Sequence, residues 1–135
     1  MDLKDSVAVS TSGLRAQSLR MRVIAENLAN ADSVATTPGG QPYRRKVATF
    51  QAEVDRATGA QGVKITGIEG DKSAFQRIYQ PGNPAADAAG YVLKPNVNSL
   101  VEAADMKAAQ RAYEANLNAL EAAKSLTMRT IDLLK

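Results

Sequence analysis

The chain has no cysteine, no histidine and no tryptophan, and aromatic residues make up only 4% of it. Without cysteine there is no disulfide frame and no thiolate metal site. Without histidine the commonest general base and the commonest metal ligand are both missing. Serine–histidine and cysteine–histidine catalytic pairs are therefore excluded. No glycine-rich loop followed by Lys-Ser/Thr is present to cradle phosphate, and Thr37-Pro38-Gly39-Gly40 is turn chemistry. Glu69 and Asp71 are two apart and could form a carboxylate pair, though solvated turn acids are the plainer reading. The expectation is no catalytic residue, no metal and no cofactor.

Long apolar runs are also lacking. None approaches the roughly 18 residues a membrane helix needs. Asp2, Lys4, Asp5, Arg15, Arg20 and Arg22 interrupt any signal-peptide hydrophobic region. Alone this points to the cytoplasm, unless export uses a route that cleaves no signal. Hydrophobic residues reach 44%, but much of that is alanine, so a compact core would be thin. The net charge of +3 divides into +1 over residues 1–31, +2 over 32–95 and none over 96–135, so there is no polybasic tail.

What is present is helix. Residues 1–31 contain no proline, and Val7, Leu14, Met21 and Leu28 fall seven apart, with Leu3, Ile24, Ala25 and Ala31 at three-or-four steps. That is a heptad seam, predicting one helix roughly 45 Å long. Asp2 or Asp5 suits its N-cap or first turn. Gly13 in the interior costs ~1 kcal/mol relative to alanine. It marks either close approach by another helix or a tolerated defect. Ser10, Gln17 and Ser18 on the seam would be costly in a dry core, so part of it is expected to be wet or bonded to another chain.

Residues 32–42 read as loop. Strands are predicted over 43–54, 63–69 and 75–80, with a short extended piece at 91–93. Residues 81–87 break regular structure. A second helix starts at Asn98 or Ser99, where Ser99 and Glu102 fit a capping box. With no Gly or Pro from Ser99 to Lys135 it can run about 55 Å. Tyr113, Leu117, Leu120, Thr127, Ile131 and Leu134 form one stripe. Ala104, Ala108, Ala115, Ala119 and Ala122 form a second, ~200° away. The alanine strip reflects either helix propensity alone or contact with a helix of another subunit.

The fold class is α+β: two long terminal helices in an antiparallel, coiled-coil-like hairpin, with a small irregular antiparallel β region between them. Residues 1–31 and 96–135 would form one discontinuous helical domain, and 32–95 a loop-rich β insertion. Tyr43-Arg44-Arg45-Lys46 is a basic patch beside aromatics that could contact nucleic acid. Its footprint is narrow, and pairing with acidic groups of a neighbouring subunit is the better reading. A coiled-coil adaptor or nucleic-acid module stands as the rival to an assembling structural protein.

Ser12-Gly13-Leu14-Arg15-Ala16-Gln17 followed by Asn27-Leu28-Ala29-Asn30-Ala31 resembles the N-terminal signature of the bacterial flagellar axial proteins (rod, hook and hook-associated). Arg111-Ala112-Tyr113-Glu114-Ala115-Asn116 and Ala123-Lys124-Ser125 resemble that family's other end. The similarity is most specific to proximal-rod subunits. It runs through residues 37–46, Tyr79-Gln80-Pro81, Asn83-Pro84-Ala85-Ala86-Asp87, Gly90-Tyr91-Val92 and Pro95-Asn96-Val97-Asn98.

The resemblance implies a structural subunit of the basal-body rod, which crosses the periplasm, transmits torque and encloses a channel. It implies export by the flagellar type III apparatus without signal cleavage, and helical stacking with the terminal helices inward. Implied partners are copies of itself, other rod subunits and an adaptor to the membrane ring, with no nucleic acid and no membrane span. It also implies terminal regions that order on assembly. Packing is expected from Val7, Ser12, Gly13, Leu14, Gln17, Met21, Asn27, Leu28 and Asn30 at one end. Tyr43, Arg44, Arg45, Asn96 and Asn98 would serve in the middle, and Met106, Tyr113, Asn116, Leu117, Leu120, Ile131 and Leu134 at the other end.

Overall fold

A computed structural model describes residues 2–135. The order is α1 (Leu3–Ala29), β1 (Lys46–Val54), β2 (Gln61–Gly70), β3 (Gln76–Tyr79), β4 (Tyr91–Lys94) and α2 (Ser99–Leu133). This is the α+β arrangement expected, with the two long helices at the ends and antiparallel strands between them. The helices measure about 40 and 52 Å at 1.5 Å per residue. Among the described residues no helix is long and apolar enough to cross a membrane.

Asp2 caps α1. Its Oδ1 accepts from Asp5 N–H at 2.8 Å, and Asp5 Oδ2 accepts from Asp2 N–H at 3.4 Å. Two orphan amides are thus satisfied reciprocally. At α2 the structure corrects the sequence reading. Asn98, not Ser99, is the cap, its Oδ1 accepting from Leu100 and Val101 N–H at 3.1 and 3.3 Å. Glu102 does not reach back as a capping glutamate; it is 1% exposed and bonds elsewhere.

The strands form two separate two-stranded sheets, β1–β2 and β3–β4. β1 and β2 are joined by a turn closed by Asp55 N–H to the Ala60 carbonyl at 2.9 Å. β3 and β4 run antiparallel, pairing Ile78 with Val92 and Tyr79 with Tyr91. The two tyrosine rings meet edge to face at 5.3 Å. β1 begins at Lys46, later than the expected Tyr43. The reason lies in the backbone: Arg45 N–H donates to Asn96 Oδ1 at 2.7 Å and Lys46 N–H to Asn27 Oδ1 at 2.9 Å. Side chains, not a neighbouring strand, take those amides.

The chain divides into two compact units. Unit 1 comprises residues 1–21, 48–67 and 107–135; unit 2 comprises 22–47 and 68–106. The interior of unit 2 holds Val23, Ile24, Asn27, Ala31, Ala35, Ala85, Val92, Pro95, Val97 and Glu102. That of unit 1 holds Ser10, Gly13, Ala16, Ala109 and Ala123.

The seam therefore differs from the heptad read in the sequence. Val7, Leu14, Met21 and Leu28 are only half-buried. Gly13 and Asn27, each one residue before a member of that heptad, are buried instead, about 100° round the helix. Small side chains let backbones approach, so they and not the larger ones occupy the tightest line. On α2 the outcome is similar. Tyr113 and Leu120 are half-buried, while Leu117, Thr127, Ile131 and Leu134 are exposed. All five alanines of the predicted strip are exposed, and Ala109 and Ala123 are the buried ones.

Candidate functional site

Unit 2 contains a closed polar cluster centred on Asn27, which is 1% exposed. An asparagine amide offers two donors and two acceptor lone pairs. Here all four are used. Oδ1 accepts from the Tyr43 hydroxyl at 2.7 Å and from Lys46 N–H at 2.9 Å. Nδ2 donates to the Lys46 carbonyl at 2.9 Å and to Glu102 Oε2 at 3.2 Å. Its position in the last turn of α1 brings it to the returning chain at Lys46.

Glu102 is held from the other side by Arg45, whose Nε donates to Glu102 Oε1. The same guanidinium reaches Asp71 Oδ2 at 3.2 Å and Asp105 Oδ2 at 3.6 Å. The hydrogen bond that Arg45 donates to Glu102, partly opposed by desolvation, raises the Arg45 pKa. A buried carboxylate needs such a partner, because an unpaired one costs several kcal/mol, roughly 3–5 when a pair is broken. Burial raises the Tyr43 hydroxyl above its ordinary range. Asp71 is held below the usual carboxylate range, first by the Ser73 backbone N–H, then by the Ser73 side chain and Arg45.

The basic triplet is thus engaged within its own chain. Arg44 donates to the carbonyls of Asp71 and Ser73 at 2.7 and 3.1 Å and stacks 4.2 Å over Phe75. Lys46 Nζ meets Glu26 Oε2 at 3.1 Å. Asn96 accepts from Arg45 N–H and donates to the Asp71 carbonyl at 3.0 Å. Asn98 is the helix cap already described, and Asn30 donates to the Glu26 carbonyl at 2.8 Å, finishing its own helix. Leu28 and Met106 are half-buried.

In unit 1 a different contact dominates. A Cβ placed on Gly13 would lie 2.6–2.7 Å from the side chain of Asn116. Gly13 is therefore a site of close approach, and the partner is α2 of the same chain. Ser12 Oγ accepts from Val63 N–H at 3.1 Å. A Cβ on Gly62 would lie 2.8 Å from that same Oγ. Glycine at both points lets backbone lie where a side chain would stand. Arg20 sits 5.9 Å over Phe50. Gln17 Oε1 is buried with no hydrogen-bond partner among the described residues, whereas Ser18 is exposed.

Sequence reasoning missed Glu102, Asp71, Asp105 and Glu26 as partners of the basic triplet. One signal was available. Glu102, Ala109, Asn116 and Ala123 are seven apart, the spacing that puts residues on one helix stripe. A glutamate on a stripe with alanines is more than a cap.

Among the described residues no group of three or more His, Cys, Asp or Glu is placed to hold a metal ion. The cluster in unit 2 is self-satisfied, while the end of α2 is open: Leu126, Met128, Ile131, Leu133 and Leu134 are 45–86% exposed. A closed polar clamp in unit 2 and an exposed apolar helix end in unit 1 are features of a structural protein, with no catalytic group in either set.

Residues 8–35 match the family model described as flagella basal body rod protein, and residues 88–133 match that of the flagellar basal body rod FlgEFG protein C-terminal. The flagellar basal-body rod protein FlgC of Agrobacterium fabrum (strain C58) is 49% identical over 127 residues, covering 94% of this chain and 91% of that protein. The protein of the same name from Salmonella typhimurium (strain LT2) is 42% identical over 133 residues, 98% of each chain. That of Bacillus subtilis (strain 168) is 38% identical over 145 residues, 96% of this chain and 97% of the other. The chain belongs to the FlgC family of flagellar basal-body rod proteins.

Proposed function

We propose that the chain is a structural, non-enzymatic subunit of the proximal rod of the flagellar basal body. It polymerises helically, with copies of itself and other rod subunits, into a torque-transmitting shaft around a channel. The residues named above for packing serve that assembly. The rod stands in the periplasm, reached through the flagellar type III apparatus without a cleaved signal, and an adaptor joins it to the membrane ring.

The observation that carries this reading beyond family membership is the exposed apolar end of α2. Five large side chains within residues 126–134 lie in water when the chain is alone. Covering each would contribute at most about 1.5–3 kcal/mol, and about half that where the side chain is already half covered. A structural subunit gains that only in the polymer.

Removing residues 131–135 tests it. The last turn of α2 and the residues after it are lost, and with them Ile131, Leu133 and Leu134. The truncated chain is expected to be absent from isolated basal bodies and its cells to be non-motile. Normal rods and swimming would overturn the proposal. The rival adaptor or nucleic-acid module predicts salt-dependent retention on DNA; the rod reading predicts none.

A further inference from the structure

We propose that Asn27 is a register lock, making the docking of residues 43–46 and the seating of the first turns of α2 a single event. Its side chain treats Lys46 as a strand neighbour would, bonding both its N–H and its carbonyl at 2.9 Å. The remaining donor goes to Glu102. Glu102 in turn holds Arg45, the residue just before Lys46. A ring results: Asn27 to Lys46, along the chain to Arg45, across to Glu102, and back to Asn27.

Each link hides a group that is costly to leave alone. Asn27 and Glu102 are both 1% exposed. Opening the ring anywhere strands a buried amide or carboxylate. The ring also closes on one alignment only, because the hydrogen-bond capacity of Asn27 is full. Unit 1 supplies no such constraint. Ala109 and Ala123 stand seven residues either side of Asn116, and both are small, so Gly13 would accept them in its place. A buried polar residue fixing helix alignment is a known device of paired helices. Here it is extended to a third segment of chain.

The coupling is read by amide hydrogen exchange on the full-length chain. The reporters are the amides of Arg45 and Asp71, which bond to Asn96 Oδ1 and the Arg45 carbonyl, and those of residues 102–106. In Asn27→Asp, which cannot donate and faces a second carboxylate, both groups are expected to lose protection together, at least about tenfold. Adding Glu102→Gln to that variant should restore part of it. Tyr43→Phe is the milder variant. It removes one bond to Asn27 and should still speed exchange in 102–106 by about fivefold.

The alignment itself is read from spin labels at Arg22→Cys and Ala104→Cys, both exposed positions of unit 2. The absence of native cysteine makes labelling specific. With Asn27→Ala in that background, a second distance displaced by about 10 Å, one heptad, is expected. The proposal requires both results. It is overturned if only residues 43–46 loosen while 102–106 keep their protection. It is equally overturned by a single unshifted distance, or by a wild-type chain that protects neither segment.

Discussion

In unit 2 the buried side chains include Val23, Ile24, Val92 and Val97 together with a fully bonded asparagine and glutamate; in unit 1 they are Ser10, Ala16, Ala109 and Ala123. The first set can hold itself. Burying a valine or isoleucine contributes about 1.5–3 kcal/mol each, and an alanine methyl only about 0.8. Unit 2 buries Val23, Ile24, Val92 and Val97 while leaving Leu100, Val101 and Tyr79 exposed; at the end of α2 in unit 1 the large apolar groups are all outside. The same pair of helices thus contributes to two units, one specified by polar bonds and the other with large apolar groups open to solvent. Small residues at Gly13, Ala16 and Ala109 permit close approach but contribute little energy, so the ordering entropy of unit 1, about 1–2 kcal/mol per residue, needs help from elsewhere.

The largest expected effect tests the self-sufficient side. Glu102→Ala removes a buried carboxylate and leaves Asn27 and Arg45 without their partner. A loss of about 3–5 kcal/mol is expected, measured by denaturant midpoint at constant slope. A loss below about 1 kcal/mol would mean the pair is not part of what holds unit 2. Next comes the tightest point of unit 1. Gly13→Leu drives a side chain into Asn116, where even a Cβ would lie 2.6 Å away. About 1–3 kcal/mol is expected from overpacking, with partial relief in the double variant Gly13→Leu, Asn116→Ala. Additive effects would show that Asn116 is not what Gly13 avoids.

The sequence and the structure agree where one segment suffices and part where two must meet. Helix lengths, strand positions and the loop at 32–42 follow from proline, glycine and periodicity, all local. The N-cap at Asp2 is local too. Glu102 shows the opposite case. Locally it completes a Ser99 capping box, yet Asn27 and Arg45, 75 and 57 residues away, offer it a stronger set of bonds. Tertiary contact overrides the local option, and Asn98 takes over the cap. The heptad fails for a related reason. Periodicity finds where large apolar residues lie, but the close approach of α1 to α2 runs through Gly13 against Asn116, which carry almost no hydrophobic signal. Of the expected site residues, Asn27, Tyr43, Arg45, Asn96, Gly13 and Asn116 are brought into specific contacts. Ile131, Leu117 and Leu134 are exposed.

A smaller effect separates the units by pH. Asp71 has a folded pKa below the ordinary value of 3.8. The folded state favours its carboxylate, so the stabilisation is complete above the ordinary value and is lost as pH falls through the lowered one. The stability gap between wild type and Asp71→Asn should therefore be constant near neutrality and shrink as pH drops below about 4. A gap that stays unchanged into that range would show that Asp71 acts through shape alone. Among the described residues no acid of unit 1 has its carboxylate held in this way by both an arginine and a backbone amide.

The smallest effect comes from the β hairpin of unit 1. Lys64 Nζ lies 2.9 Å from Glu53 Oε1, as short as the bonds of Asn27 in unit 2. Distance alone would rank them equal. Exposure does not: the Lys64 and Glu53 side chains are 49% and 53% exposed, against 1% for Glu102. In water the attraction is screened, and holding two long side chains still offsets most of what remains. Lys64→Ala is expected to cost at most about 0.5 kcal/mol and to lose even that in high salt. A cost above about 1 kcal/mol, or one that salt does not reduce, would mean the hairpin contributes more to unit 1 than its burial allows. The contrast between the two units would then rest on apolar burial alone and no longer on how their polar groups are enclosed.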